Sequence, residues 1–437
     1  MKFVHAADLH IDSPLRGLTR YEGAPLERAR RATRDAFERV VGLCLEERAQ
    51  FLVLAGDVFD GDWKDIGTGL YFVSQLARLR ETGCRVMLLR GNHDFELTKN
   101  LSYADHVFEF AAASGAAAGA APKGEGAHRA GSKRGKCTYV FEDEGVSFHG
   151  VSYAQKKIEK SLLPLYAPPV AGLLNVGVLH TNATGSREHA AYAPCTVSEL
   201  VAHGYDYWAL GHVHTHAVLH EDPWVVYPGN TQGRSVRETG AKGCVLVEAA
   251  GDRTLDVRFV PTDTMRYFVE EVSLGPEDDA PELFEKVRLL LDDVAARAEG
   301  TLSAVRLEIK GSCRAHAAIV AERESILAQI RADAIDRGGD VWLEKVKLLT
   351  SPAQSIEALR AAQGLVAELL TWTERLRGED AETERRGLLR SLEPLKKKLG
   401  RELEELEIVV DDEAWFESML DRAEALLAER LTPSTND

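Results

Sequence analysis

A chain of 437 residues is longer than one hydrophobic core supports, since single cores stop growing near ~250–300 residues, so two or three units are expected. Apolar residues make up 45% of it, yet no run approaches the ~20 apolar positions of a membrane-spanning helix, and Met1–Asp8 lacks a cleavage site behind an apolar stretch; a soluble protein that is not exported is expected. The net charge of −16 argues against a nucleic-acid partner until it is divided: residues 1–260 hold 29 Lys and Arg against 31 Asp and Glu, the remainder 24 against 38, so the acidity lies in the carboxy-terminal part. Cations bound among the amino-half carboxylates would leave that half locally positive. Cys44, Cys84, Cys137, Cys195, Cys244 and Cys313 lie far apart, with no Cys-x-x-Cys pair, and read as reduced thiols of a cytoplasmic protein.

From Met1 to Pro261 short apolar runs alternate with helical patterns. Lys2–Ala7, Phe51–Ala55, Val86–Leu89, Val176–Leu179, Tyr207–Leu210 and Trp224–Tyr227 read as strands ending at polar or Gly-rich turns, and Pro25–Glu47 as a surface helix covering the sheet. The Ala/Gly-rich stretch Ala111–Lys136 reads as a helix tail followed by a loop, whose Lys123, Arg129, Lys133, Arg134 and Lys136 are a weak candidate DNA contact. Beyond Pro261 the order becomes strand (Arg266–Ser273), helix (Pro281–Ala298), strand (Ala304–Lys310), helix (Ala315–Arg337) and strand (Val341–Leu349). From Ser351 the pattern is helical, with breaks near Gly378 and Ile408–Asp412. The expected domains are 1–261, 262–350 and 351–437.

The chemistry-bearing residues stand where apolar runs stop: Asp8-Leu9-His10, Gly56-Asp57, Gly91-Asn92-His93-Asp94, His180 and Gly211-His212-Val213-His214. Side chains at the carboxyl ends of strands converge on one sheet edge. A lone Asp-x-His is weak, since Asp commonly ends strands; five such motifs in this order point to a binuclear metal site. Residues i and i+2 of extended chain point the same way, which would let Asp8 with His10, and His212 with His214, each present two donors. Asp57, alone after its strand, is the natural bridging carboxylate between two metals. Carboxylates, imidazoles and one amide without thiolate suit Mn²⁺, with Fe²⁺ or Zn²⁺ as alternatives. His93, with its tautomer fixed by Asp94, is the candidate to protonate the leaving oxygen, so both are assigned to catalysis.

These motifs resemble those of the calcineurin-like metallophosphoesterases, and within them the SbcD-type DNA repair exonucleases. The stretches Phe3–Leu15 and Tyr227–Arg234 are similar to the YhaO-like branch. The resemblance covers Met1–Pro261. It implies an α/β fold, a four-layer sandwich of two sheets between helices, followed by a small α+β capping domain and a helical carboxy-terminal segment. It implies that Asp8, His10, Asp57 and His214 hold one metal and Asp57, Asn92, His180 and His212 the other. The partners implied are DNA and an SbcC-like, SMC-type ATPase, and a homodimer is a further expectation. Leu359, Leu365, Leu369, Leu370, Trp415, Phe416 and Leu420 offer an apolar face for the ATPase, or for the chain's own packing.

Other polar residues carry weaker signals. His5 and His149 lie in strand-like runs and read as core histidines, and His216 lies past the site. The resemblance places the loops of Asp12, Asn230 and Arg234 near the site, where surface turns would look the same, and Asp60 is a candidate support for the second motif. Arg16, Arg20, Arg28, Arg30, Arg31 and Arg34 read as a solvated helix face. The expected activity is therefore metal-dependent hydrolysis of DNA phosphodiesters. The alternatives are a small-substrate phosphatase or cyclic-nucleotide phosphodiesterase on the same site, and a non-catalytic scaffold, which would have lost ligands.

Overall fold

The computed structural model describes residues 1–13, 25–60, 66–95, 103–112, 134–183, 192–337, 340–353, 364–378, 381–391, 393–394, 397–398, 415–417, 419–421 and 423–424. The chain divides into two compact units, Met1–Phe268 with Ala298–Ala304, and Val269–Arg297 with Val305–Asp437.

Two sheets build the first unit. One runs in the spatial order β13 (Leu255–Pro261), β12 (Gly243–Ala249), β1 (Lys2–Ala6), β2 (Phe51–Ala55), β3 (Arg85–Leu89), β4 (Val107–Phe110), β5 (Arg134–Lys136). The other runs β10 (Ala217–Glu221), β11 (Trp224–Tyr227), β9 (Tyr207–Gly211), β8 (Leu174–His180), β7 (Val146–Gly150), β6 (Thr138–Phe141). Strands β1 to β4 are mutually parallel, as are β7, β8, β9 and β11. Parallel strands covered on both faces read as continuous apolar runs, which explains why β2 is Phe-Leu-Val-Leu-Ala and buried throughout.

Alternation along each strand separates three packed layers. Val4, Ala6, Leu52, Leu54, Val86 and Leu88 face α1 (Leu26–Glu46) and α2 (Ile66–Arg80) through Phe37, Val40, Phe72 and Leu76. Phe3, Phe51, Val53 and Met87 face the second sheet, meeting Phe148, Val176, Tyr207 and Ala209. The far side of that sheet, Leu179, Trp208 and Leu210, packs with Leu200 of α3 (Val197–His203), a helix opened by a Thr196–Glu199 capping box. Helix, sheet, sheet and helix make the four-layer α/β sandwich that the sequence implied.

The second unit contains most of a three-stranded sheet, β14 (Met265–Ser273), β15 (Leu302–Cys313), β16 (Val341–Pro352), with α4 (Ala280–Arg297), α5 (Ala315–Ala321) and α6 (Arg323–Ile335). Leu283, Val287, Leu291 and Val294 form the buried stripe of α4, at the spacing of a one-faced helix. The single helix expected over Ala315–Arg337 is two, because Glu322 at φ −119°, ψ 32° leaves the helical region. Helices Leu365–Arg375 and Glu382–Ser391 follow, with Leu376, Ala381, Phe416 and Leu420 clustered. The break expected near Ile408–Asp412 lies outside the described residues, as does most of the Ala/Gly-rich stretch. The helix tail expected at its start is instead extended: β4 ends at Phe110, Ala112 bridges Ser152, and Arg134–Lys136 adds an edge strand. Among the described residues no helix is long and apolar enough to cross a membrane.

Candidate metal centre

The loops after β1 and β2 leave the sheet side by side, joined by the bonds Asp8 N to Gly56 O (3.0 Å), His10 N to Asp57 O (3.1 Å) and Ile11 N to Val58 O (3.0 Å). The donors of these loops do not converge by strand alternation. Asp8, His10 and Asp57 sit at φ 52°, 43° and 52°, and His212 at φ 99°, all in the left-handed region that costs a non-glycine residue about 1–3 kcal/mol. The extended-chain reason for pairing Asp8 with His10 is therefore corrected: each turn is left-handed, a conformation Asp and His tolerate better than bulkier residues. Asp12, also left-handed at φ 61°, clamps this loop to α1 by accepting from Arg34 Nε at 2.7 Å and from Arg34 Nη2 at 2.5 Å.

Glycines make the approach of these loops possible. A Cβ on Gly91 would lie 2.2 Å from Asp57 Oδ1, one on Gly56 2.5 Å from His180 Nδ1, and one on Gly211 2.0 Å from the Ala55 carbonyl. The motif glycines are thus spaces for a neighbouring donor or strand.

Asp8, His10, Asp57, Asn92 and His180 are buried, and His212, His214 and His93 are half-buried. Ligand-capable atoms gather in overlapping sets: Asp8, His10 and His214; Asp8, Asp57 and His180; His10, Asp60 and His93. Asp8 belongs to the first two. The tautomers follow from partners that can only accept. His180 Nδ1 donates to the Ala55 carbonyl at 3.0 Å, so Nε2 faces Asn92 Oδ1 at 3.0 Å and Asp57 Oδ2 at 3.3 Å. His214 Nδ1 lies 2.7 Å from Glu238 Oε1 and 3.4 Å from Arg234 Nη2; the much shorter contact is to the carboxylate, which makes Nδ1 the donor and leaves Nε2 facing His10 Nε2 at 3.4 Å and Asp8 Oδ1 at 3.7 Å. Asp8 Oδ1 is buried and has no hydrogen-bond partner, while Oδ2 accepts from His212 N at 2.9 Å. The His212 ring lies 5.2 Å from that of His180, centre to centre.

Lone pairs aimed at one another in a buried space demand a proton or a cation between them. Burial pushes the His180 ring down, but the carboxylates of Asp57 and Asp8 overcome it and raise it to about 9. Burial works against the charge of Asp57 too, yet His180, His10 and His93 hold it well below the usual carboxylate range. Burial lowers His10, and lowers His212 to about 4, so both rings are neutral at neutral pH, the form of imidazole that can accept a cation. Bare nitrogens, anionic oxygens and an orphaned carboxylate oxygen fit divalent cations.

At the half-exposed rim, His93 Nδ1 donates to Asp60 Oδ1 at 2.8 Å. Asp60, not Asp94, fixes its tautomer, which corrects the sequence expectation. Asp94 points beneath the loops, where Oδ2 accepts from Val58 N at 2.9 Å and Oδ1 from Gly91 N at 2.7 Å. Burial and the nearby Asp57 push Asp94 up to about 7. Asp60 also accepts from Ser13 Oγ at 2.8 Å and lies 3.5 Å from Arg234 Nη1.

Glu238 was not foreseen. It follows no apolar run, lies in the turns between β11 and β12, and has no motif spacing to announce it. Asn230, buried, donates to it from Nδ2 at 3.0 Å. His5 and His149 are core histidines, bonded to Tyr207 and Leu210 and to Ser147, Thr138 and Asn175 respectively, and His216 bonds the Tyr227 carbonyl away from the donor sets. Arg16 and Arg20 lie outside the described residues; Arg28, Arg30 and Arg31 are on α1.

Comparisons with known proteins agree with this architecture. Residues 1–216 match the calcineurin-like phosphoesterase family, and residues 267–351 the middle domain of the metallophosphoesterase YhaO. The chain is 31% identical to the metallophosphoesterase YhaO of Bacillus subtilis over 317 residues, covering 71% of this chain and 72% of that protein. It is 27% identical to the DNA double-strand break repair protein Mre11 of Methanopyrus kandleri over 308 residues, 66% of this chain and 62% of that protein. A dimetal phosphatase from Danio rerio superposes with a TM-score of 0.32 at 13% identity, covering 56% of this chain and 92% of that one. By the family match over residues 1–216 and the kinship with the Bacillus subtilis protein along most of both chains, the chain belongs to the calcineurin-like metallophosphoesterases, on the YhaO branch.

Proposed function

We propose that this phosphoesterase is a metal-dependent DNA nuclease that hydrolyses phosphodiester bonds. The observation that carries the reading is the pair of donor sets joined at Asp8, with His93 at the rim held by Asp60. In this reading Asp8, His10, Asp57 and His214 hold one cation and Asp57, Asn92, His180 and His212 the other. The donor mix, without thiolate, favours Mn²⁺. When bound, the two cations acidify water and neutralise charge growing on the phosphate. The chain supplies orientation and a proton. Asp60 accepts a hydrogen bond from His93 Nδ1 and raises that ring's affinity for a second proton, which Nε2 would donate to the departing oxygen. Asp94 holds Val58 N and Gly91 N, and so the loops that carry Asp57, Asn92 and His93.

A DNA substrate is favoured over a small ester by the kinship with the archaeal repair protein. An SMC-type ATPase is the partner proposed. Leu365 and Trp372, 63% and 38% exposed on one face of their helix, suit such docking. Phe416 and Leu420 are buried with Leu376 and Ala381 and serve the helical segment's own packing, and Leu370 is buried as well. The six free cysteines accord with a reducing cytoplasm.

The test is cleavage of end-labelled linear DNA and of a chromogenic phosphodiester, each with Mn²⁺, with chelator, and with Asp57→Asn. Mn²⁺-dependent shortening of DNA, lost in the variant and in chelator, is expected. Cleavage of the small ester alone would replace the nuclease with a phosphatase or cyclic-nucleotide phosphodiesterase.

A further inference from the structure

We propose that Glu238 is a positioning residue that fixes His214 as a metal ligand and that Arg234 and Asn230 hold its carboxylate for this task; the proposal rests on the two-metal reading above. Both oxygens of Glu238 are committed. Oε1 lies 2.7 Å from His214 Nδ1, and Oε2 accepts from Arg234 N at 2.7 Å and from Asn230 Nδ2 at 3.0 Å. The carboxylate cannot rotate away without breaking two bonds to its own loop.

The consequence is chemical. An ionised carboxylate only accepts, so Nδ1 of His214 keeps its hydrogen and the lone pair stands on Nε2, directed at the space shared with His10 Nε2 and the orphaned Asp8 Oδ1. Carboxylate, imidazole and metal in line is the arrangement that fixes ring orientation and raises ligand basicity. His214 needs such support more than the other rings. It is half-buried, whereas His10 and His180 are enclosed, and its carbonyl accepts from Lys242 Nζ at 3.0 Å and from Asn230 N at 3.5 Å. The Arg234 guanidinium lies 3.7 Å from Glu238 Oε1 and 3.5 Å from Asp60 Oδ2, so one cation bridges the two carboxylates that bond His214 and His93 and offsets their mutual repulsion.

The experiment is calorimetric titration of the full-length chain with Mn²⁺ alone, comparing wild type, Glu238→Ala and Glu238→Gln, with thermal unfolding of each metal-free protein as the check on folding. Wild type is expected to take up two equivalents. Glu238→Ala should keep one at unchanged affinity and weaken the other by about 10–100-fold. Glu238→Gln keeps a single acceptor for the three donors that the two carboxylate oxygens serve, so its amide nitrogen must face either Nδ1 or Arg234 N and Asn230 Nδ2, and it should weaken the same site while leaving the other unchanged. If the alanine variant does not fold, Glu238→Asp, which withdraws the carboxylate by one methylene, takes its place with the same expectations. Wild-type affinity at both sites in the alanine variant overturns the role of Glu238 and leaves the two-metal reading standing. Equal weakening of both sites also overturns it, since that marks loop collapse. No uptake of Mn²⁺ by wild type overturns both readings.

Discussion

Replacing Gly91 by alanine tests whether the glycines of the site are spaces reserved for donors. The added Cβ would stand 2.2 Å from Asp57 Oδ1, 2.8 Å from Asp57 N and 2.9 Å from Asp57 Cγ, all closer than real Cβ contacts. Asp57 cannot recoil freely, because Oδ1 accepts from His93 N at 2.9 Å and Oδ2 lies 3.3 Å from His180 Nε2. If the backbone opens, overpacking costs about 1–3 kcal/mol. If the carboxylate swings away, it forfeits a charged hydrogen bond worth about 1.5–3 kcal/mol. Either route gives about 2 kcal/mol, a fall in Tm of roughly 4–8 °C for a unit of this size. The displaced carboxylate should also weaken Mn²⁺ binding by tenfold or more, since about 1.4 kcal/mol is a factor of ten. Gly42 is the control: it lies inside α1 with nothing within 4 Å of its added Cβ, and Gly42→Ala should raise stability by up to about 1 kcal/mol. Circular-dichroism melts of the metal-free proteins and Mn²⁺ titrations read both effects. A Gly91→Ala protein that melts with wild type and binds Mn²⁺ equally would refute the packing account of Asp57.

Two further substitutions separate orientation from scaffolding at the rim. Asp94→Ala removes the acceptor for Val58 N and Gly91 N, and two orphaned buried amides should cost about 2–6 kcal/mol by urea unfolding of the metal-free protein; a loss under about 1 kcal/mol would contradict its structural role. Asp60→Asn should lower kcat on a chromogenic phosphodiester by about 10²-fold while Mn²⁺ affinity stays within a few-fold, and an unchanged kcat would mean that the 2.8 Å bond to His93 does not serve catalysis.

The strands that position the site were legible because they are buried on both faces. Phe51–Ala55 and Tyr207–Gly211 leave no polar position within the run, and each then stops at a glycine or carboxylate. Edge elements gave less. Arg134–Lys136 has no apolar pattern of its own and is a strand only because β4 offers it hydrogen bonds, a tertiary cause that composition cannot report. The carboxy-terminal leucines showed helical spacing but not their orientation: Leu370 and Leu365 share a helix, yet the first is fully buried and the second 63% exposed.

For the candidate site, sequence order named side chains that the fold brings together and misjudged their supports. Asp94 is adjacent to His93 in the chain, but the loop turns between them, so the two side chains leave on different sides and Asp60, from another loop, meets the imidazole. Glu238 was invisible for the same reason, since its bond to His214 spans 24 residues and depends on where two turns come together. Nor does the sequence state that Asp8, His10, Asp57 and His212 are left-handed. That strain explains why the loops need so many anchors. Backbone held at such φ values relaxes unless neighbours over-determine it, and here the bonds joining the β1 and β2 loops, the Asp12–Arg34 clamp and the two amides held by Asp94 supply that restraint. Restraint of this kind lowers the cost of ordering such side chains around a ligand.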